Sequence, residues 1–418
     1  MKVLWITNIL FPQVFEKLHN IKNRNASGGW MIGAADALIQ SYNVKLYVAT
    51  VSGLVKQLTR IDVADVIYYI IPIGNGNCIE NNEYIPFWET IRDEIKPDIV
   101  HIHGTEFSHG YSYIKACGKN NVVISIQGLT SICSRFYLAD LSFYDIYSNL
   151  TLRDILKGNV LSDQKRFRKR GRYEKNMIRS VDHIIGRTTW DKSHVLSLNP
   201  DVLYYYCNET LRSEFYDSEK WDYSSCKKHT IFLTQAGYPL KGFHQVLKAM
   251  PLILQKYPDA TIRVAGEDIT RTNTISDILH YTGYGKYIKK LIKKMKLENK
   301  VSFVGKLNAE QMKREYLNSN VFICPSSIEN SSNSLGEAQL LGVPCIASYV
   351  GGNMDMMKGN EDNLYRFEEV EMLAHKICSI FESKEKQVDM SSIAYARHNR
   401  KENATQLYNI YIDILKRN

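Results

Sequence analysis

The sequence predicts an α/β protein made of two doubly wound parallel-sheet (Rossmann-like) domains, and three observations predict it. Short β-branched runs alternate with amphipathic helical stretches from one end of the chain to the other. Several of the runs, such as 98–103 (DIVHIH) and 122–126 (VVISI), are almost continuously apolar, as strands covered on both faces are. The length of 418 residues exceeds one ordinary domain and suits two of roughly 150–200 residues each.

Taken in order, 2–7 (KVLWIT) reads as a first buried strand, followed by a long loop with Ser27-Gly28-Gly29 and a helix over 30–40. Strands are expected at 44–49, 66–71, 98–103, 122–126 and 181–185, with a helix near 84–95. Between 128 and 180 the pattern loosens: 129–147 is rich in aromatics and 164–175 is strongly basic. An irregular polar stretch over 208–228 reads as the linker. A second α/β series then starts with a strand at 230–234 and a helix over 243–256 whose apolar residues recur at helical spacing and stop before Pro258. Strands at 261–265, 301–304, 321–324 and 344–347 alternate with helices near 287–296, 309–317 and 334–341. The tail, 401–416, reads as a helix that crosses back to the first domain. The division is therefore 1–207 for an N-terminal domain, 208–390 for a C-terminal domain and 391–418 for the returning helices.

Composition narrows the function classes. Hydrophobic residues make up 44% and charged residues 23%, and there are only 10 Pro and 24 Gly, which excludes a disordered or fibrous chain. Lys and Arg outnumber Asp and Glu by 53 to 44, a net charge of +9 that favours an anionic partner without saying which. Tyr, at 27 against 14 Phe and 5 Trp, suits half-wet clefts and sugar faces. Eight cysteines are scattered without a CxxC pair or a Cys/His cluster and read as small buried hydrophobes. MKVLWITNILFPQ has no cleavage pattern after its apolar run, and no stretch approaches the ~20 apolar residues of a membrane span, so a cytoplasmic protein is expected.

The most specific constellation is Glu329-Asn-Ser-Ser-Asn-Ser-Leu-Gly-Glu337, followed by Gly342-Val343-Pro344 and Gly351-Gly352. A strand runs into a polar loop, and a helix opens near Ser334. Loop amides and a helix N-terminus at a strand's carboxyl end make an anion site suited to a diphosphate. Glu329 before the helix and Glu337 within its first turns are placed to accept hydrogen bonds from hydroxyls. Taken alone, such a Glu pair is more often a solvated pair around a capped helix.

The ordered set, with Pro325-Ser326, Glu337-Ala338 and Ser348, resembles the E-x7-E motif of retaining family-4 glycosyltransferases, whose fold is GT-B: two doubly wound domains facing across a cleft. The resemblance runs over nearly the whole chain. Gly28 and Gly29 match the family's N-terminal glycine loop near the donor diphosphate. Asp98-Ile-Val-His-Ile-His-Gly104 matches a strand ending in a histidine at the cleft; His103 is favoured over His101 and His109 because it is last before Gly104. Lys241-Gly242 matches the Lys-Gly that closes the first C-domain loop, where a lysine neutralises the leaving diphosphate. The family commonly has an Arg about five residues earlier; here position 236 is Ala beside Gln235, which leaves Arg187 or another basic residue to share the phosphate charge. Gly266 and Leu307 fall where the family has turns near the nucleotide, and 186–191 (GRTTWD) looks like its last N-domain motif, although its Thr would equally cap a helix.

The resemblance thus implies His103, Glu329 and Lys241 as catalytic residues, and Gly28, Gly29, Gln235, Gly266, Leu307, Ser332, Asn333, Ser334 and Glu337 as donor-binding residues. It implies transfer from a nucleotide diphosphate sugar, a UDP-sugar being the expected donor, to a glycan or lipid-linked acceptor in bacterial surface-polysaccharide assembly. No Asp-x-Asp pair occurs in the chain, so no metal and no cofactor are expected. The basic run Lys165–Tyr173 reads either as a solvated helix face or as a site of peripheral contact with the inner face of the plasma membrane, and nucleic acid lacks any companion motif. Two alternatives remain at this level: a nucleotide-sugar 2-epimerase, which also uses twin doubly wound domains, and an inactive nucleotide-sugar-binding protein, suggested by the missing Arg.

Overall fold

The computed structural model describes residues 1–19, 29–73, 82–383 and 390–417. The chain forms two compact units: unit 1 comprises Met1–Ile132, Phe167–Leu211 and His398–Asn418, and unit 2 comprises Cys133–Arg166 and Arg212–Arg397.

Unit 1 holds β1 (Lys2–Thr7), β2 (Lys45–Ser52), β3 (Thr59–Val63), β4 (Val66–Pro72), β5 (Ile99–His103), β6 (Val122–Ser125), β7 (His183–Gly186) and β8 (Leu203–Tyr206). They form one sheet in the order β3-β4-β2-β1-β5-β6-β7-β8, in which β3 alone is antiparallel to its neighbour. Alternation along β1 sends Leu4 and Ile6 to one face with Trp88, and Val3 and Trp5 to the other with Tyr411. That second face is covered by the helices Gly29–Ser41 and Arg400–Arg417, and Trp5 Nε1 donates to Tyr411 Oη at 3.0 Å. A β-branched strand buried on both faces is what the apolar run in β1 requires.

Unit 2 holds β9 (Lys227–Leu233), β10 (Thr261–Val264), β11 (Val301–Phe303), β12 (Ser319–Cys324), β13 (Cys345–Ser348) and β14 (Leu364–Tyr365), paired in parallel in the order β11-β10-β9-β12-β13-β14. The helix Phe243–Lys256 lays Phe243, Val246, Met250 and Ile253 on this sheet. Both sheets reverse their winding beside their first strand, between β1 and β5 in unit 1 and between β9 and β12 in unit 2. The crevice outside the carboxyl ends at such a reversal is where open α/β sheets bind ligands.

The structure divides the chain differently from the boundary expected at 207/208. Residues 133–166 belong to unit 2 because their apolar side chains complete its core: Leu141 and Ile146 are buried with Phe243 and Tyr284. Polar ties hold them there: His244 Nε2 pairs with Ala139 O at 2.8 Å and Thr151 Oγ1 donates to Tyr281 O at 2.7 Å. The aromatic-rich 133–147 is therefore part of unit 2. The tail divides at 397/398: the helix Met390–Arg397 stays in unit 2, and Arg400–Arg417 packs in unit 1.

Candidate active site

In unit 2 the loops that follow β9 and β12 meet at the winding reversal. The β9 loop ends in a single 3₁₀ turn, Pro239–Lys241, closed by Gly242 at φ +66°. Only glycine fits there: a Cβ on Gly242 would lie 1.7 Å from Pro325 O, at the start of the β12 loop. Ser327 N donates to Leu240 O at 2.8 Å and ties the loops together. This approach delivers Lys241 Nζ to Glu329 Oε2 at 2.9 Å. Ser326 Oγ donates to the same carboxylate oxygen at 3.0 Å, and Ser348 Oγ donates to Ser326 O at 2.5 Å. Burial works against the Lys241 charge, but the Glu329 carboxylate and then Tyr238 more than offset it, so the ammonium is held above its ordinary value and stays charged. The backbone of Glu329 is pinned as well. Gly352 N donates to Glu329 O at 3.0 Å, and Gly351, at φ +53°, lies where a Cβ would strike that oxygen.

The helix Asn333–Leu340 begins immediately after, with Ser332 as N-cap accepting from Leu335 N. Tyr316 Oη donates to Ser334 O at 2.9 Å and fixes the first turn, and Asn333 Oδ1 is buried with no hydrogen-bond partner among the described residues. Glu337 is 4% exposed, and Arg212 holds it in a two-pronged ion pair: Nε to Oε1 at 2.6 Å and Nη2 to Oε2 at 2.7 Å. Burial raises the Glu337 carboxyl while Arg212 opposes it, and the carboxyl remains above its ordinary value. Sequence reasoning missed Arg212. It lies 125 residues before Glu337 in the chain, within a stretch read as linker, and no local pattern signals the pairing.

The other sequence-selected residues of unit 2 rim the same sheet edge. Gln235 is exposed just beyond β9, while Ala236 turns into the core, so the place of the family arginine is filled by a small buried side chain. Gly266, after β10, takes φ +105° and donates its N–H to Gly305 O at 2.8 Å. Leu307 is half-buried just before Asn308, the N-cap of the helix Ala309–Asn318.

In unit 1, His103 ends β5 at the carboxyl edge, 6% exposed. Its ring packs on Trp5 at 4.5 Å and stacks on His101 at 3.8 Å. Neither ring nitrogen has a hydrogen-bond partner among the described residues. Burial, then His101 and Arg187, hold it far below its ordinary value, so it is a neutral imidazole. The rival histidines are engaged: His101 bonds Tyr411 Oη at 2.6 Å and Ser125 Oγ at 2.5 Å, and His109 Nε2 bonds Thr7 O at 3.1 Å. His103 lines a pocket shared with Trp30, Gln127, Arg187, Asn208 and Glu209. Arg187 is committed within unit 1, with Nη1 2.7 Å from Glu209 Oε2 and Nη2 3.2 Å from Gln127 Oε1. Thr188 caps the helix Thr189–Leu198 by accepting from Asp191 N. Gly28 lies outside the described residues, and Gly29 is the first residue of the helix Gly29–Ser41.

An acid at the unit 1 reversal was not singled out in the sequence. Glu106, three residues past His103, spans the loops after β1 and β6: Asn8 Nδ2 donates to Oε2 at 2.8 Å and Gly128 N donates to Oε1 at 3.2 Å. Burial chiefly pushes its carboxyl up from 4.5 to about 7. The folded protein then keeps a proton that the unfolded chain releases, so this group's contribution to stability falls as pH rises through that window. Urea unfolding of Glu106→Gln should gain on the parent between about pH 5 and about pH 8. A difference that is flat with pH would contradict the assignment.

Residues 218–397, most of unit 2 including Lys241, Glu329 and Glu337, match the family profile described as glycosyl transferases group 1. An uncharacterized glycosyltransferase of Methanocaldococcus jannaschii is 27% identical over 139 residues, 33% of this chain and 32% of the relative. The matched stretch is thus about a third of that relative's length. Among solved structures, sucrose-phosphate synthase from Thermosynechococcus elongatus superposes with a TM-score of 0.72 at 15% identity, covering 100% of both chains. Anabaena Alr3699/HepE in complex with UDP and glucose superposes at 0.65 with 14% identity, covering 98% of each chain. At these identities the likeness is one of fold. The chain has the GT-B fold, built from two Rossmann-like units with parallel sheets.

Proposed function

We propose that this protein is a retaining glycosyltransferase of the hexosyltransferase type, in family 4, moving a sugar from a nucleotide diphosphate sugar to an acceptor hydroxyl. The observation that carries the reading is the Lys241–Glu329 pair beside the Ser332-capped helix, at the winding reversal of the unit that matches glycosyl transferases group 1. A lysine held charged and a helix N-terminus are what a diphosphate needs as the glycosidic bond breaks. In the reaction the bond from the anomeric carbon to the phosphate oxygen breaks, and the acceptor oxygen bonds to that carbon on the same face. The acceptor proton passes to the departing phosphate. Glu329 receives sugar hydroxyls, Glu337 receives the ribose, and Gln235, Gly266, Leu307, Ser332, Asn333 and Ser334 line the donor. In this reading His103 serves the transferred sugar. Among the described residues its buried ring nitrogens lack partners, a condition that costs about 1–3 kcal/mol and that a sugar hydroxyl would relieve.

The donor we propose is a UDP-sugar, in keeping with a structural neighbour solved with UDP and glucose. The acceptor is a glycan or lipid-linked intermediate of bacterial surface-polysaccharide assembly, met in the cytoplasm at the inner face of the membrane. Among the described residues no helix is long and apolar enough to cross a membrane. Contact through Lys165–Tyr173 is supported by its exposed Lys165, Arg166, Arg168, Lys169 and Arg172 on the helix Val160–Arg179.

A thermal-shift and product-release screen across UDP-, GDP- and TDP-sugars tests the reading. Stabilisation and nucleotide release with the UDP set are expected. Activity should survive excess chelator, since Lys241 and helix amides carry the diphosphate charge. Loss on chelation with recovery on manganese would contradict the metal-free site.

A further inference from the structure

The unit 1 cavity that His103 lines has a volume of about 50 Å³, less than the share of two liquid waters at about 30 Å³ each. It admits one small substituent of a sugar and not the ring. Its wall carries several polar atoms that the protein leaves unused. Among the described residues, both ring nitrogens of His103, Oδ1 of Asn208 and Oε1 of Glu209 are buried without a hydrogen-bond partner. Such orphaned groups cost free energy that a ligand hydroxyl recovers.

The sheet explains why these groups meet. Arg187 follows β7 and Glu209 follows β8, and the two strands run side by side in parallel, so both residues reach the same carboxyl edge. The Glu209 carbonyl accepts from His398 Nδ1 at 2.8 Å and from Asn403 Nδ2 at 3.4 Å, which pins its backbone. Its side chain lines the cavity, with Oε2 2.7 Å from Arg187 Nη1, and the two side chains are 9% and 4% exposed.

Charge in the cavity is the informative quantity. Arg187 is the one cation among the described residues that line it, because His103 is neutral. Both terminal nitrogens of its guanidinium are engaged, Nη1 by Glu209 and Nη2 by Ile126 O and Gln127 Oε1. Two further acids stand beside it: Asp191 Oδ2 accepts from the Arg187 backbone N–H at 3.0 Å, and the Glu106 carboxyl feels the Arg187 charge. The lining therefore offers a ligand acceptors and a neutral imidazole, but no unpaired positive charge.

We propose that Glu209, by occupying Arg187, sets the sugar specificity of this site: it selects donors whose transferred sugar carries a neutral hydroxymethyl group and rejects uronic acids, which carry a carboxylate in its place. The inference rests on the reading that His103 serves the transferred sugar. The two substituents are of similar size, so volume does not separate them and charge does. A hydroxymethyl group donates to Asn208 Oδ1 or Glu209 Oε1 and pairs with the His103 ring. A carboxylate donates to neither acceptor, meets Glu209 as a like charge and finds the cation already paired, a repulsive arrangement that discriminates as effectively as an attractive one.

Titration calorimetry of the full chain with two donor pairs tests this: UDP-glucose against UDP-glucuronate, and UDP-galactose against UDP-galacturonate. The members of each pair differ only at C6, and UDP alone is the control for the donor reading. In the parent the neutral member should bind about a hundredfold more tightly than its uronate. Glu209→Gln keeps the shape, removes the like charge and leaves Arg187 for the sugar carboxylate, so the ratio should fall about tenfold or more. Arg187→Gln with Glu209→Gln removes the buried pair whole. It should relax the preference as well, with weaker uronate binding than Glu209→Gln alone. Unfolding midpoints show whether each variant is folded, and the parent's ratio needs no variant. Binding of UDP with equal or tighter binding of the uronates to the parent would overturn the proposal and leave the donor reading standing. A parent ratio unchanged in folded Glu209→Gln would also overturn it, and the absence of UDP binding would overturn both readings.

Discussion

Glu329→Ala is expected to lower turnover by about 10²–10³-fold, the usual cost of removing one preorganised polar partner of a transition state, while nucleotide affinity falls only modestly. The asymmetry follows from position. Glu329 is assigned to the sugar, and its carboxylate takes hydrogen bonds from Lys241 Nζ and Ser326 Oγ at 2.9 and 3.0 Å. Its removal frees the lysine without displacing the loop, because the backbone is held by Gly352 N at 3.0 Å. Glu329→Gln keeps an acceptor for Ser326 but drops the charge, so it should fall between parent and Ala. Steady-state rates with saturating donor check this. Parent-like turnover in the Ala variant would remove Glu329 from the chemistry.

The second large effect is on stability. Arg212→Met leaves the Glu337 carboxylate buried without its counter-charge, and breaking a buried pair from one side costs about 3–5 kcal/mol. Arg212 keeps part of its side chain in water, with 26% exposed against 5% for Glu337, so the lower end of that range is expected. The pH dependence has a definite sign. Burial already keeps the Glu337 carboxyl above its ordinary 4.5, so the folded state holds a proton that the unfolded chain gives up, and this group's contribution falls as pH rises above 4.5. Losing Arg212 removes the opposing pull and widens the window. The deficit of Arg212→Met should therefore be smallest in acid and grow toward neutrality. Adding Glu337→Gln should recover most of the stability but not nucleotide affinity, which separates a packing role from a binding one. Urea unfolding at several pH values, together with nucleotide titration, reads both. A deficit that does not change with pH would contradict the ion-pair account.

What the sequence disclosed follows from burial. Strands such as Lys2–Thr7, covered on both faces, announce themselves as apolar runs, and their boundaries agree with the structure. Edge strand β3, Thr59–Val63 (TRIDV), was not anticipated because an exposed edge carries charge and polar alternation in place of an apolar run. The short helices around 143–157 and 275–280 were also missed: except for Ile146 their apolar residues point outward, so the helical period carried little core signal. Their capping boxes, Ser142 with Asp145, Thr151 with Asp154 and Thr274 with Asp277, were the legible sign. Assigning 133–166 to the first unit failed for a related reason, since strand order along the chain says nothing about which core an inserted segment fills. The Lys241–Glu329 pair and the helix that carries Glu337 could be located from the sequence because one loop–helix unit and one Lys-Gly turn hold them. Arg212 could not, because a pairing 125 residues long leaves no local trace.

The central claim is that unit 2 holds a nucleotide diphosphate sugar with its diphosphate on Lys241. Titration calorimetry of UDP into the parent and Lys241→Ala tests it most directly. The account predicts saturable one-to-one binding to the parent, weakened in the variant by about 1.5–3 kcal/mol, the worth of a hydrogen bond to a charged group, or roughly ten- to a hundredfold. The absence of binding to the parent, or equal affinity in the two proteins, would contradict it.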